Sequence, residues 1–116
     1  MIGTLTQNVF LKMVRGDTLS LGFEVDGLTE DLDEVYFSCR TEYGANNYVF
    51  QASLTNGEVT KEATGKYLVR IPPAYTANLV PGDYVYDLEV QLDSDVFTPL
   101  IGKLEICWGV TEGAAS

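Results

Sequence analysis

From Leu79 to Leu92 a Pro81-Gly82 turn opens onto strict alternation: Tyr84, Tyr86, Leu88, Val90 and Leu92 fall on one side of an extended chain, and Asp83, Asp87, Glu89 and Gln91 on the other. Strand side chains repeat every two residues, so this segment reads as one long half-buried strand. The same period recurs in Thr18 to Val25, with Leu19, Leu21, Phe23 and Val25 inward against Thr18, Ser20 and Glu24. Further strands are predicted over Asn8 to Met13, Glu34 to Arg40, Tyr48 to Leu54, Lys66 to Ile71 and Val96 to Ile106, with Val59 to Glu62 as a short edge strand.

Turn residues punctuate these runs at Arg15-Gly16-Asp17, Asp26-Gly27, Tyr43 to Asn47, Asn56-Gly57 and Asp93-Ser94-Asp95. Asn and Gly both tolerate positive φ, which makes Asn56-Gly57 the sharpest of these signals. Pro72-Pro73 stops a ladder and suits a helical first turn, so Pro73 to Leu79 is the one helical or 3₁₀ turn predicted. About seven or eight strands at this spacing make an all-β chain, an antiparallel sandwich of the immunoglobulin-like type. Residues 1–110 form that domain, and 111–116 read as a frayed tail.

Leu79, Pro81, Gly82 and Tyr84 carry a specific structural expectation. A Tyr two residues after a Gly, opening a long penultimate strand, is placed to return its hydroxyl to the preceding loop, which is a tyrosine corner. Leu79 plugs the core beneath the turn, Pro81 presets φ, and Gly82 supplies a conformation that a side chain obstructs. The alternative role for Tyr84 is a ligand-stacking ring.

Composition narrows the classes of function. With 116 residues, 46 % of them apolar and 21 % charged, the chain is one ordered domain. Seven basic against seventeen acidic side chains leave a net charge of -10, which disfavours nucleic acid; the excess of carboxylates reads first as ordinary solvated surface and second as suited to a basic or metal-bridged partner surface. No run of about 18 apolar residues predicts a membrane span, and Met1 to Asn8 lacks the regions of a signal peptide.

There is no histidine, hence no imidazole base, no Ser-His-Asp or Cys-His arrangement and no His metal site, and no glycine-rich phosphate loop. Neither enzyme activity nor a cofactor is expected. Cys39 is in phase with the inward Val35 and Phe37, whereas Cys107 is in phase with the outward Lys103 and Glu105, which disfavours a disulfide between them.

Three weaker signals remain. Asp26, Glu30, Asp31 and Asp33, with Glu34, supply oxygen ligands of the kind Ca²⁺ takes but lack an ordered EF-hand spacing, so they read first as a solvated acidic loop. Arg15-Gly16-Asp17 is the integrin-ligand tripeptide and also an ordinary turn. Tyr36, Tyr43, Tyr48, Tyr75 and Trp108 include residues off the main inward phase and read first as core or edge packing, with Trp108 capping the sandwich, and second as a stacking platform or protein interface. The candidate interaction surface is Tyr43 and Tyr48 together with the sheet edge beginning at Val59.

The order of Arg15-Gly16-Asp17-Thr18, Val25-Asp26-Gly27, Asp31-Leu32, Lys66 to Pro73, Thr76 to Leu79, Pro81 to Glu89 and Phe97 to Ile106 resembles small bacteriophage and prophage tail proteins, specifically the immunoglobulin-like domain of baseplate upper proteins. The resemblance covers nearly the whole chain and implies a noncatalytic structural or interaction protein of the tail tip or baseplate. It implies other tail proteins or a second copy as partners, cyclic homo-oligomers, and a place in the virion after assembly in the bacterial cytoplasm. A carbohydrate-binding or adhesin-type module of a bacterial surface is the rival expectation.

Overall fold

The computed structural model describes residues 6–111. Their strands are β1 (Gln7–Asn8), β2 (Leu11–Val14), β3 (Leu19–Glu24), β4 (Glu34–Arg40), β5 (Phe50–Ser53), β6 (Val59–Ala63), β7 (Lys66–Ile71), β8 (Gly82–Leu92) and β9 (Asp95–Cys107), with a 3₁₀ turn at Pro73–Tyr75. The predicted tail, save exposed Thr111, lies outside the described residues. No helix among the described residues is long and apolar enough to cross a membrane.

Two sheets form an immunoglobulin-like sandwich. The large sheet runs β1-β9-β8-β4-β5 with β2 also on β9, and the small one runs β3-β7-β6. The chain changes sheet between β2 and β3, β3 and β4, β5 and β6, and β7 and β8, and these crossings coincide with the predicted turns. Alternating side chains meet between the layers, where Val35, Phe37, Cys39, Tyr67, Val69, Ile71, Leu88, Val90, Leu104 and Ile106 are all buried. Phe37 stacks on Tyr86 at 5.2 Å and on Phe50 at 6.2 Å between ring centroids.

One predicted element is corrected in detail. The strand expected over Asn8 to Met13 is interrupted, and both of its pieces run parallel to β9, opposite Leu100 and Ile101 and then opposite Leu104 to Cys107. Gly102 permits this approach. A Cβ there would meet the Val9 carbonyl oxygen at 2.3 Å, closer than any side chain tolerates. Tyr86 stands opposite Gly102 in the β8–β9 register, and its hydroxyl donates to that same Val9 oxygen at 2.8 Å.

The β8–β9 hairpin carries a bulge, with Glu89 facing Thr98 and Pro99 between the pairs Leu88–Leu100 and Val90–Phe97. Proline has no N–H to give a ladder, and a bulge is where a strand accommodates it. At the hairpin's other end, Tyr84 closes the corner by donating its hydroxyl to the Val80 carbonyl at 2.5 Å. Gly82 sits at φ 152°, a conformation that disfavours any side chain, and half-buried Leu79 packs against the core.

Two substitutions should separate these constraints. Tyr84→Phe removes one hydrogen bond and should cost about 1 kcal/mol. Gly102→Ala forces two backbones apart and should cost on the order of 2 kcal/mol or more. Urea denaturation of both variants beside the parent checks the order.

Candidate functional site

The alternation that buries Val35, Phe37 and Cys39 turns Tyr36, Ser38 and Arg40 to the outer face of β4. That face is not covered by the small sheet. Across the ladder, Tyr36 stands opposite Glu89, Ser38 opposite Asp87 and Arg40 opposite Val85. On the other flank Ser38 stands opposite Gln51, whose amide Nε2 donates to the Ser38 hydroxyl at 3.0 Å. Together with Tyr48 these residues line a polar cleft of about 420 Å³.

A second depression of about 210 Å³ is lined by Tyr43, Gly44, Val85 and Tyr86 and shares Ser38, Arg40 and Asp87 with the first. Arg40 is the ridge between them. Its guanidinium carbon lies 4.3 Å from the Tyr48 ring centroid, and its Nη1 donates to the Ala45 carbonyl. The connection from β4 to β5 is thereby folded back on the sheet, its base closed by Val49 N–H donating to Cys39 O at 2.7 Å. Tyr43 and Tyr48 stay open to solvent at 60 % and 48 % relative exposure.

The electrostatics are acidic beneath the aromatic rim. Burial pushes the Asp87 carboxyl above the usual carboxylate range, the neighbouring Glu89 charge adds to this, and Arg40 only partly offsets both. A cation arriving between Asp87 and Glu89 relieves that repulsion, and the rings offer area that is cheap to desolvate. The thiol nearest this face in sequence is no nucleophile: Cys39 points into the core, where burial pushes it up to about 12. Cys107 is partly exposed and donates to Glu105 at 3.1 Å, a bond that, with desolvation, also raises its pKa. Both cysteines are free.

The structure brings together only part of the set singled out from the sequence. Tyr43 and Tyr48 flank one ridge, but Val59 is 1 % exposed and belongs to the opposite sheet. What Val59 opens is indeed an edge strand, β6, although its own side chain is core. Arg40, Ser38, Gln51, Asp87 and Glu89 were missed. Their outward phase was legible, whereas their convergence depends on β4 lying between β5 and β8.

The acidic loop does not converge on a cation. Asp31 pairs with Lys61 at 2.6 Å, and Asp33 accepts the Asp93 N–H at 2.7 Å. Among the described residues no three His, Cys, Asp or Glu side chains are grouped so that they could hold a metal ion, Asp26, Glu30, Asp31 and Asp33 included. Arg15-Gly16-Asp17 is a turn, with Asp17 N–H donating to Val14 O at 3.0 Å. Trp108 does not cap the sandwich, being 68 % exposed with Arg15 stacked 4.4 Å from its ring centroid.

No family model and no curated protein matches the chain. Among solved structures it is similar to the crystal structure of CopC from Methylosinus trichosporium OB3b, with a TM-score of 0.46 and 13 % identity over 91 % of this chain and 89 % of that one. The expectation of a phage or prophage tail component is corrected, the solved structure to which the chain is similar here being one named CopC. The carbohydrate-binding or adhesin alternative finds no support in these comparisons. The sandwich on which those expectations were built stands, because one fold serves many functions.

Asp87 binds a proton more readily in the folded chain than in the unfolded one. Its carboxylate thus opposes folding above the raised pKa, and the penalty fades as pH falls through it. Asp87→Asn should raise the urea midpoint at neutral pH, with the gain shrinking towards zero in acid. A thiol-reagent titration of the native protein should modify Cys107 slowly and Cys39 only on unfolding, as mass spectrometry of the labelled peptides would register.

Proposed function

We propose that this protein is a non-enzymatic protein-binding module, taking its partner on the outer face of β8, β4 and β5. The observation that carries the reading is the pair of exposed rings, Tyr43 and Tyr48, set either side of Arg40 over two adjoining depressions. Tyr and Arg are the residue types that dominate protein interfaces, because each supplies a large contact area and directed hydrogen bonds at modest entropic cost.

The partner's facing surface is basic. Asp87 and Glu89 present carboxylates within the cleft, and the chain as a whole carries a charge of -10, which steers cationic surfaces towards it. No catalytic constellation enters the proposal, since the face offers no histidine, activated thiol or paired acid and base.

The test compares the full chain, the Tyr43→Ser/Tyr48→Ser variant and a Val96→Ser control as baits in a cell extract, followed by calorimetry on any protein recovered. A partner bound by the parent and the control, and weakened by tenfold or more in the tyrosine variant, supports the reading. Undiminished binding by the tyrosine variant overturns it, and so does recovery of nothing by the parent. Added salt should weaken the complex, mostly through its association rate.

A further inference from the structure

The four sheet borders are not alike. At one border of the large sheet, β5 is only four residues long. At the other, β1 and β2 are two short pieces separated by Val9 and Phe10. In the small sheet β6 carries Lys61 and Glu62 and shifts register between Lys61 and Ala63. Shortness, interruption, charge and bulging are the devices by which an edge resists further pairing.

β3 has none of them except one charge at its very end, Glu24. It pairs with β7 without a break from Leu19–Ile71 to Glu24–Lys66, has no Pro or Lys, and among the described residues lacks a strand on its other side. Its inward side chains are also incompletely covered. Leu19, Leu21 and Phe23 pack against the core yet stay only partly buried, while Tyr67, Val69 and Ile71 on the adjacent strand are fully buried. The seam of the sandwich is open along β3.

We infer that β3 pairs antiparallel with β3 of a second copy about a two-fold axis at Leu21, joining two small sheets into one continuous six-stranded sheet. The strand is self-complementary in that register. Centring on Leu21 keeps inward residues on the inward face, places Leu19 opposite Phe23 of the second copy and Leu21 opposite its counterpart, and sets Ser20 opposite Gly22. Shifting by one residue would turn apolar side chains to solvent. Glu24 meets Thr18 instead of a like charge, and its carboxylate is already held by Lys66 at 3.3 Å. The contact is isologous and closes after two copies, so it yields a dimer and not a fibre. It lies on the opposite sheet from the Tyr43–Tyr48 face and leaves that face free.

The register makes the test specific. Residues directly opposite in an antiparallel pair have Cα atoms about 4.5–5.5 Å apart, within disulfide reach, whereas identical residues one position off the axis are too far apart to be bridged. In a Cys107→Ser background, Leu21→Cys should give a covalent dimer under mild oxidation and Ser20→Cys should not. Light scattering of the uncrosslinked parent should give twice the 12.7 kDa chain mass. Leu21→Lys should give the single mass with an unchanged circular dichroism spectrum, and Tyr43→Ser/Tyr48→Ser should remain dimeric. A parent that is monomeric at every concentration, equal crosslinking at Ser20 and Leu21, or a dimer that a folded Leu21→Lys chain retains would overturn the inference.

Discussion

The arrangement depends on the contact of Val9 with Gly102 beneath Tyr86. A missing side chain at Gly102 lets the first strand lie against β9, and the Tyr86 hydroxyl, crossing from β8, holds the Val9 carbonyl in place. Three strands are thus tied at one point, where a backbone acceptor inside the sheet margin receives a donor that would otherwise be buried without a partner. Because the N-terminal pieces are committed to β9, they do not run beside β3. Among the described residues, the pieces that border the large sheet at β9 are therefore not available to cover β3 at the border of the small one.

The second constraint is the crossing of the chain between sheets. Thr76, fully buried after the 3₁₀ turn, accepts the Gly16 N–H at 2.9 Å and so links two crossings distant in sequence. Tyr67 accepts the Leu32 N–H at 2.9 Å and does the same for the loop before β4. Glu58 accepts from Tyr75, Ser53 and Asn56 at the β5–β6 crossing. Burial raises its pKa, but those hydrogen bonds outweigh that and hold it below the usual range. These side-chain bonds satisfy loop backbone where no ladder can, and they fix how β4 and β5 present their outer residues.

Most strands were legible in the pattern because a two-residue period on a half-buried sheet admits one assignment of faces. Glu34–Arg40 and Lys66–Ile71 have the predicted bounds, and Tyr84 with Gly82 forms the anticipated corner. The parallel course of β1 and β2 was not legible, since it depends on a glycine ninety residues away. The aromatic part of the site was visible as rings out of phase with the core. Its polar part was not, because Arg40, Asp87 and Gln51 are unremarkable outward residues until three strands are set side by side.

The sequence by itself determined the β period, the faces of each strand, the turns, the acidic charge and the lack of imidazole chemistry, all of which are local or compositional properties. Which strands became neighbours, and hence the grouping of Tyr43, Arg40, Tyr48, Asp87 and Glu89, the burial of Val59, the dispersal of the acidic loop and the open edge of β3, was decided by tertiary structure alone. The physical reason is that a side chain's face follows from its own strand, whereas its company is set by pairing and by the packing of one sheet on another.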